Sequence, residues 1–87
     1  MKSSIIPFQG HKPQLDHNVF IAPGDILIGQ VKVKQNSSIW YHSVIRGDVG
    51  EISNGENTNI QDHALLHCTT GKSICIVDDY VTVGHRA

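Results

Sequence analysis

Eighty-seven residues make one domain, whose core is marginal unless the fold is regular or the chain associates with copies of itself. Seven Lys and Arg against eight Asp and Glu leave a formal net charge of −1, so the basic footprint that phosphate-backbone binding requires is missing and no nucleic-acid partner is expected. No apolar run reaches signal-peptide or membrane-span length, which makes a cytoplasmic protein without a membrane partner the expectation.

In chain order, residues 1–14 carry Pro7, Gly10 and Pro13 with only Ile5, Ile6 and Phe8 as apolar anchors, and are expected to form a leader strand and turn. From Leu15 a period appears: Leu15, Ile21, Leu27, Val33, Ile39 and Ile45 fall at intervals of six, every one aliphatic. The step resumes with Ile60 and Leu66 and again with Val77 and Val83. The intervening stretches, near 49–58 and 68–75, contain Gly, Asn, Ser and Thr and are expected to be loops pushed out at corners. Neither an amphipathic helix nor a hairpin sheet explains a period of six. Pro23, Gly24, Gly29, Gly47, Gly50 and Gly55 punctuate the chain too often for a long helix. Hexapeptide periodicity is the mark of a parallel β-helix, in which each short strand sends one aliphatic side chain inward before the chain turns a corner. Residues 15–87 therefore read as about four coils, in a single domain over residues 1–87. Cys68 and Cys75 flank Thr-Thr-Gly-Lys-Ser, and a reduced pair is expected rather than a bridge.

This frame places the polar residues by phase. The residue after each inward aliphatic points outward, because neighbouring side chains on a strand alternate. Trp40, Arg46, Gln61 and His67 all hold that position, and Arg46, Gln61 and His67 are expected to share one outer face. Trp40 is expected in a contact between chains. His85 follows Val83 by two, at or near a corner and in the phase of Asp62, so His67 and His85 are not expected to aim at one point within a chain. A metal shared by them would lie between chains. His11, His17, His42 and His63 have no defensible ligand spacing and are expected at the surface.

The segments Arg46-Gly47-Asp48, Asn59-Ile60-Gln61-Asp62 with His67 five residues on, and Val83-Gly84-His85-Arg86-Ala87 resemble the γ-class carbonic anhydrase family of left-handed β-helix proteins. The similarity runs from Ala22-Pro23-Gly24 and Ser38-Ile39-Trp40 to Ala87. It implies an all-β, left-handed parallel β-helix that assembles as a homotrimer. Zinc, or iron or cobalt in its place, is then held between protomers, with His67 as the first ligand and His85 as the ligand presented across the interface. It implies that Gln61 and Asn59 orient the reacting groups, and that Arg46 pairs with Asp48 of its own chain and Asp62 of the neighbour. The substrate implied is carbon dioxide, hydrated to bicarbonate by a zinc-activated water whose pKa falls to about 7. Val49 stands where well-known members of the family have a glutamate.

The family continues beyond the Val-Gly-His-Arg-Ala stretch with a third histidine, further coils and a C-terminal helix. A catalytic zinc takes three protein ligands and keeps an open position, so the 87-residue chain is expected to be weak or inactive. Two other functions stay open: a non-catalytic trimeric β-helix module, and a hexapeptide-repeat acyltransferase or thioesterase relative.

Overall fold

The computed structural model describes residues 3–67 and 74–87. Its ten strands are β1 (Ser4–Ile6), β2 (Gln14–Leu15), β3 (Phe20–Ile21), β4 (Ile26–Val33), β5 (Ser38–Ile39), β6 (Val44–Asn54), β7 (Asn59–Ile60), β8 (Leu65–His67), β9 (Ile74–Val77) and β10 (Thr82–Val83). The pairings between these strands are all parallel. The chain is a β-solenoid of about four turns. Among the described residues no helix is long and apolar enough to cross a membrane.

The registers show why the six-residue step forms a prism. One face stacks Ile5, Leu27, Ile45 and Leu66. The second stacks Leu15, Val33, Asn54 and Val77, and the third Ile21, Ile39, Ile60 and Val83. Three strands of one hexapeptide each make a coil, so a residue returns to its own column after eighteen positions, as Ile21 does at Ile39. Leu27, Val33, Ile39, Ile45 and Ile60 are buried, and Ile21, Leu66 and Val83 pack against them from the ends. Burying a side chain of this size stabilises by about 1.5–3 kcal/mol, and stacking spreads that gain over every coil-to-coil interface.

The loop expected near 49–58 is a correction. β6 runs unbroken to Asn54, with fully buried Ile52 opposite Val31. Gly29 pairs with Gly47, eighteen residues on, but Val31 pairs with Ile52, twenty-one on, so the insertion is three residues at one corner. The second face takes two inward residues per coil, Val31 with Val33 and Ile52 with Asn54, and the single-residue step overlooks the first of each pair. Of the second expected loop, Ile74 and Cys75 lie in β9, with Cys75 in register with Ile52; the rest, including Cys68, lies outside the described residues. Gln14, placed in the leader, starts β2, and the leader strand Ser4–Ile6 pairs with Ile26–Ile28.

The corners repeat as regularly as the faces. Asn18, Asn36, Asn57 and Tyr80 occupy one column and Gly24, His42, His63 and Arg86 another, every one with φ between 54° and 85°. The left-handed region is open to glycine and tolerated by asparagine, so this turn fits Gly24 and the asparagines without strain. Buried side chains satisfy the backbone groups that turning exposes. Asp25 accepts the N–H groups of Ala22 (2.8 Å) and Ser43 (3.0 Å). The Ser43 hydroxyl donates to the Gln61 carbonyl at 2.7 Å. At another corner the Ser37 hydroxyl donates to the Gly55 carbonyl (2.7 Å) and accepts the Thr58 N–H (3.0 Å), and the Thr58 hydroxyl donates to the Asp78 carbonyl at 2.7 Å.

Candidate functional site

Two neighbouring faces carry the outward polar residues. On the first, Arg46 of β6 stands in direct register with His67 of β8, because each follows an inward aliphatic, Ile45 or Leu66, by one. The Arg46 guanidinium donates to Asp48 Oδ2 at 3.1 Å. Between these residues Gly47 lies so close to the next coil that a Cβ there would run into the Gln30 backbone. The Arg-Gly-Asp order thus needs its glycine for close coil contact and uses the flanking charges on the outside. Desolvation works to raise the Asp48 carboxyl, but the hydrogen bond and charge of Arg46, with the N–H groups of Asp48 and Val49, outweigh it and hold the carboxyl below its usual value. Asp48 is therefore ionised at neutral pH and keeps Arg46 drawn to the corner.

On the third face, Asn59 of β7 stands between Ser38 and Thr82, and Gln61 follows Ile60 at the strand's end. The Ser38 hydroxyl donates to Asn59 Oδ1 at 2.5 Å and accepts from Trp40 Nε1 at 2.9 Å. The Trp40 ring lies 4.9 Å from Phe20 and 6.2 Å from Tyr41. With Oδ1 engaged by Ser38, the Asn59 carboxamide presents its NH2 as the remaining donor. The structure therefore divides Arg46, Gln61 and His67, expected on one outer face: Arg46 and His67 share the first, whereas Gln61 belongs with Asn59 to the third. The physical reason is that six residues advance the chain by one whole face, so equal phase means equal orientation relative to the core and not a common direction.

His85 lies in the turn after β10, one coil beyond Asp62, whose carbonyl accepts the Arg86 N–H at 3.0 Å. This corner joins the third face to the first, so the length of a strand separates His85 from His67 at the far end of β8. Among the described residues no group of three or more His, Cys, Asp or Glu side chains could hold a metal ion. Two imidazoles fall short of the three protein ligands of a catalytic zinc, so the described residues of one chain do not complete such a site.

Sequence reasoning missed one pairing. His42 and His63, expected merely at the surface, stack with ring centroids 5.5 Å apart and planes 14° from parallel, and a Cβ on Gly24 would run into the His42 ring. Their common distance of three residues from Ile39 and Ile60 was the available signal.

No family model matches the sequence. The fold is that of hexapeptide-repeat proteins: a hexapeptide transferase family protein from Anaplasma phagocytophilum superposes with a TM-score of 0.89 at 40% identity, over 95% of this chain and 48% of that one. By sequence the chain is related over most of its length to the γ-carbonic anhydrases. It is 48% identical over 80 residues to γ carbonic anhydrase 2, mitochondrial, of Arabidopsis thaliana, covering 86% of this chain and 29% of that protein. It is 40% identical over 82 residues to a carbonic anhydrase of Geobacillus kaustophilus, covering 94% of this chain and 44% of that protein. The chain thus spans between a quarter and a half of the length of these relatives.

Proposed function

We propose that residues 1–87 form part of a γ-carbonic anhydrase-like protein that hydrates carbon dioxide reversibly, with a zinc-type metal held between the protomers of a homotrimer in the cytoplasm. The register of Arg46 with His67, beside the Asn59 and Gln61 carboxamides on the next face, carries this proposal. An imidazole and a fixed guanidinium stand side by side on one face with two amides on the adjoining face, and the 48% identity to a named γ carbonic anhydrase supports the chemistry. His67 of one protomer and His85 of the next are the two imidazoles this segment contributes, and a third ligand has to come from elsewhere. Arg46, held by Asp48, reaches Asp62 of the neighbouring protomer and stiffens the contact. Trp40, packed on Phe20, adds apolar area to it. Asn59 and Gln61 orient the substrate oxygens by hydrogen bonds. The 87-residue chain alone is proposed to be weakly active or inactive.

Size-exclusion chromatography followed by metal analysis tests this. Metal is expected to co-elute with a trimer and to be lost in both His67→Ala and His85→Ala. A metal-free trimer at neutral pH would refute the proposal in favour of an assembly module. Stopped-flow hydration on the same fractions measures activity, and an acyl-transfer assay addresses the transferase function that the Anaplasma phagocytophilum relative's name suggests.

A further inference from the structure

The third face carries a hydrogen-bond chain whose direction is fixed from one end. Trp40 Nε1 donates to Ser38 Oγ at 2.9 Å, and an indole N–H can only donate. The Ser38 oxygen is therefore an acceptor on that side and has one proton to give on the other. It lies 2.5 Å from Asn59 Oδ1, within the O–H···O range and shorter than the roughly 2.7–3.2 Å of an N–H···O bond, so the Asn59 atom facing Ser38 is the carbonyl oxygen. Ser38 and Asn59 stand in direct register on neighbouring coils, each one residue before an inward isoleucine, Ile39 or Ile60. The Trp40 ring packs against Phe20 at 4.9 Å and Tyr41 at 6.2 Å, which keeps its N–H aimed along the face. Ser38, Trp40 and Asn59 are all half-buried, so the chain is partly shielded from competing water. The two N–H donors of Asn59 Nδ2 have no partner among the described residues, and Gln61 flanks Ile60 from the other side on the same face.

We propose that Ser38, with its proton directed by Trp40, is the positioning residue that makes Asn59 an obligate donor toward a small oxyanion of the bicarbonate class. The proposal rests on the reading of Asn59 as a substrate-orienting residue and names what orients it. With the carboxamide turned the other way, Oδ1 would face the ligand's negative oxygen and repel it. The two ends of a carboxamide differ little in shape, so hydrogen bonding has to choose between them, and the donor-only indole makes that choice through Ser38.

Nuclear magnetic resonance of the 87-residue chain tests both steps. Ser38→Ala is expected to shift the resonances of the Asn59 side-chain carbonyl carbon and the Trp40 indole N–H while the backbone amides of the coils stay in place. Ser38→Thr, which keeps the hydroxyl on a residue suited to a strand, is expected to restore both. Sodium bicarbonate, titrated at fixed pH against sodium chloride of equal ionic strength, is expected to move the Asn59 Nδ2–H2 resonances with a dissociation constant on the order of tens of millimolar, as suits a ligand of so few atoms; chloride is expected to leave them in place. Ser38→Ala should weaken bicarbonate by at least about twofold, because a carboxamide free to take either orientation offers its donors about half the time, and Ser38→Thr should recover the affinity. Unchanged Asn59 and Trp40 side-chain resonances in Ser38→Ala, or undiminished bicarbonate affinity in that variant, would overturn the proposal whatever the function of the chain. Side-chain resonances that respond to Ser38→Ala, in a chain whose Asn59 amide ignores bicarbonate, would instead overturn the ligand class and with it the reading of Asn59 as a substrate-orienting residue.

Discussion

Asn54 offers the sharpest test of how the solenoid is held together. It sits 1% exposed in the inward column of the second face, in register with Val33 on one side and Val77 on the other. Neither its Nδ2 nor its Oδ1 has a hydrogen-bond partner. A buried polar group left without a partner costs about 1–3 kcal/mol. Burying a Val side chain in its place contributes about 1.5–3 kcal/mol relative to leaving it exposed. Valine is the residue on both neighbouring rungs, so it fits the pleat with a β-branched rotamer already accepted there. Allowing for partial compaction of the unfolded chain, Asn54→Val should stabilise by about 2 kcal/mol. At 4–8 °C per kcal/mol for a domain of this size, the melting temperature rises by about 8–16 °C. Thermal unfolding followed by far-ultraviolet circular dichroism reads this directly, and Val33→Asn should move it the opposite way. An unchanged or lower Tm in Asn54→Val would refute the reasoning, because it would mean that the amide is satisfied inside the coil, for example by trapped water.

Three further outcomes are expected. Burial pushes the Asp25 carboxyl from 3.8 up to about 6, against the opposing pull of the Ser43 and Ala22 N–H groups and the His42 charge, with Asp62 adding to the rise. A folded-state value above the unfolded one means the folded chain holds the proton more tightly. This group's contribution, about 3 kcal/mol by order of magnitude, is thus fully present below pH 3.8 and lost as pH rises through about 6; urea melts of Asp25→Asn should show a flatter pH dependence than the parent across that window. Asp48 has the reverse sign: its lowered value makes the Arg46 pair stabilising above the usual carboxylate range and lost on acidification, so Asp48→Asn should lose stability at neutral pH and converge with the parent in acid. Ser37→Ala strands the Thr58 N–H and the Gly55 carbonyl at a buried corner and should cost about 1–3 kcal/mol, read as a lower denaturation midpoint at unchanged slope.

Much of the architecture was legible because a solenoid repeats one local rule. Leu27, Val33, Ile39, Ile45 and Ile60 were placed inward by counting alone, and each is buried. Asn54 escaped the count because it is polar, and Ile52 because it sits two residues before an inward position. Those two omissions made the stretch near 49–58 look like a loop. The left-handed corner turns are written in Asn18, Asn36, Asn57 and Gly24, residues whose conformational freedom marks turns generally, but His42, His63, Tyr80 and Arg86 carry no such mark and adopt the same φ.

The site divides along the same line. Sequence by itself determined which side chains face outward, since alternation on a strand is a local property: Arg46, Gln61 and His67 follow aliphatics, and Arg46 and Asp48 flank a glycine. It also determined that His85 stands at a corner. Only the tertiary structure decided which of these residues share a face, because that depends on how far the chain has turned between them and on where three extra residues enter. Arg46 and His67 became neighbours across twenty-one residues of chain, whereas Gln61, only six from His67, was carried round to the next face. A hexapeptide step preserves a side chain's relation to the core and rotates its direction in space, and coil stacking, not phase, brings functional groups together.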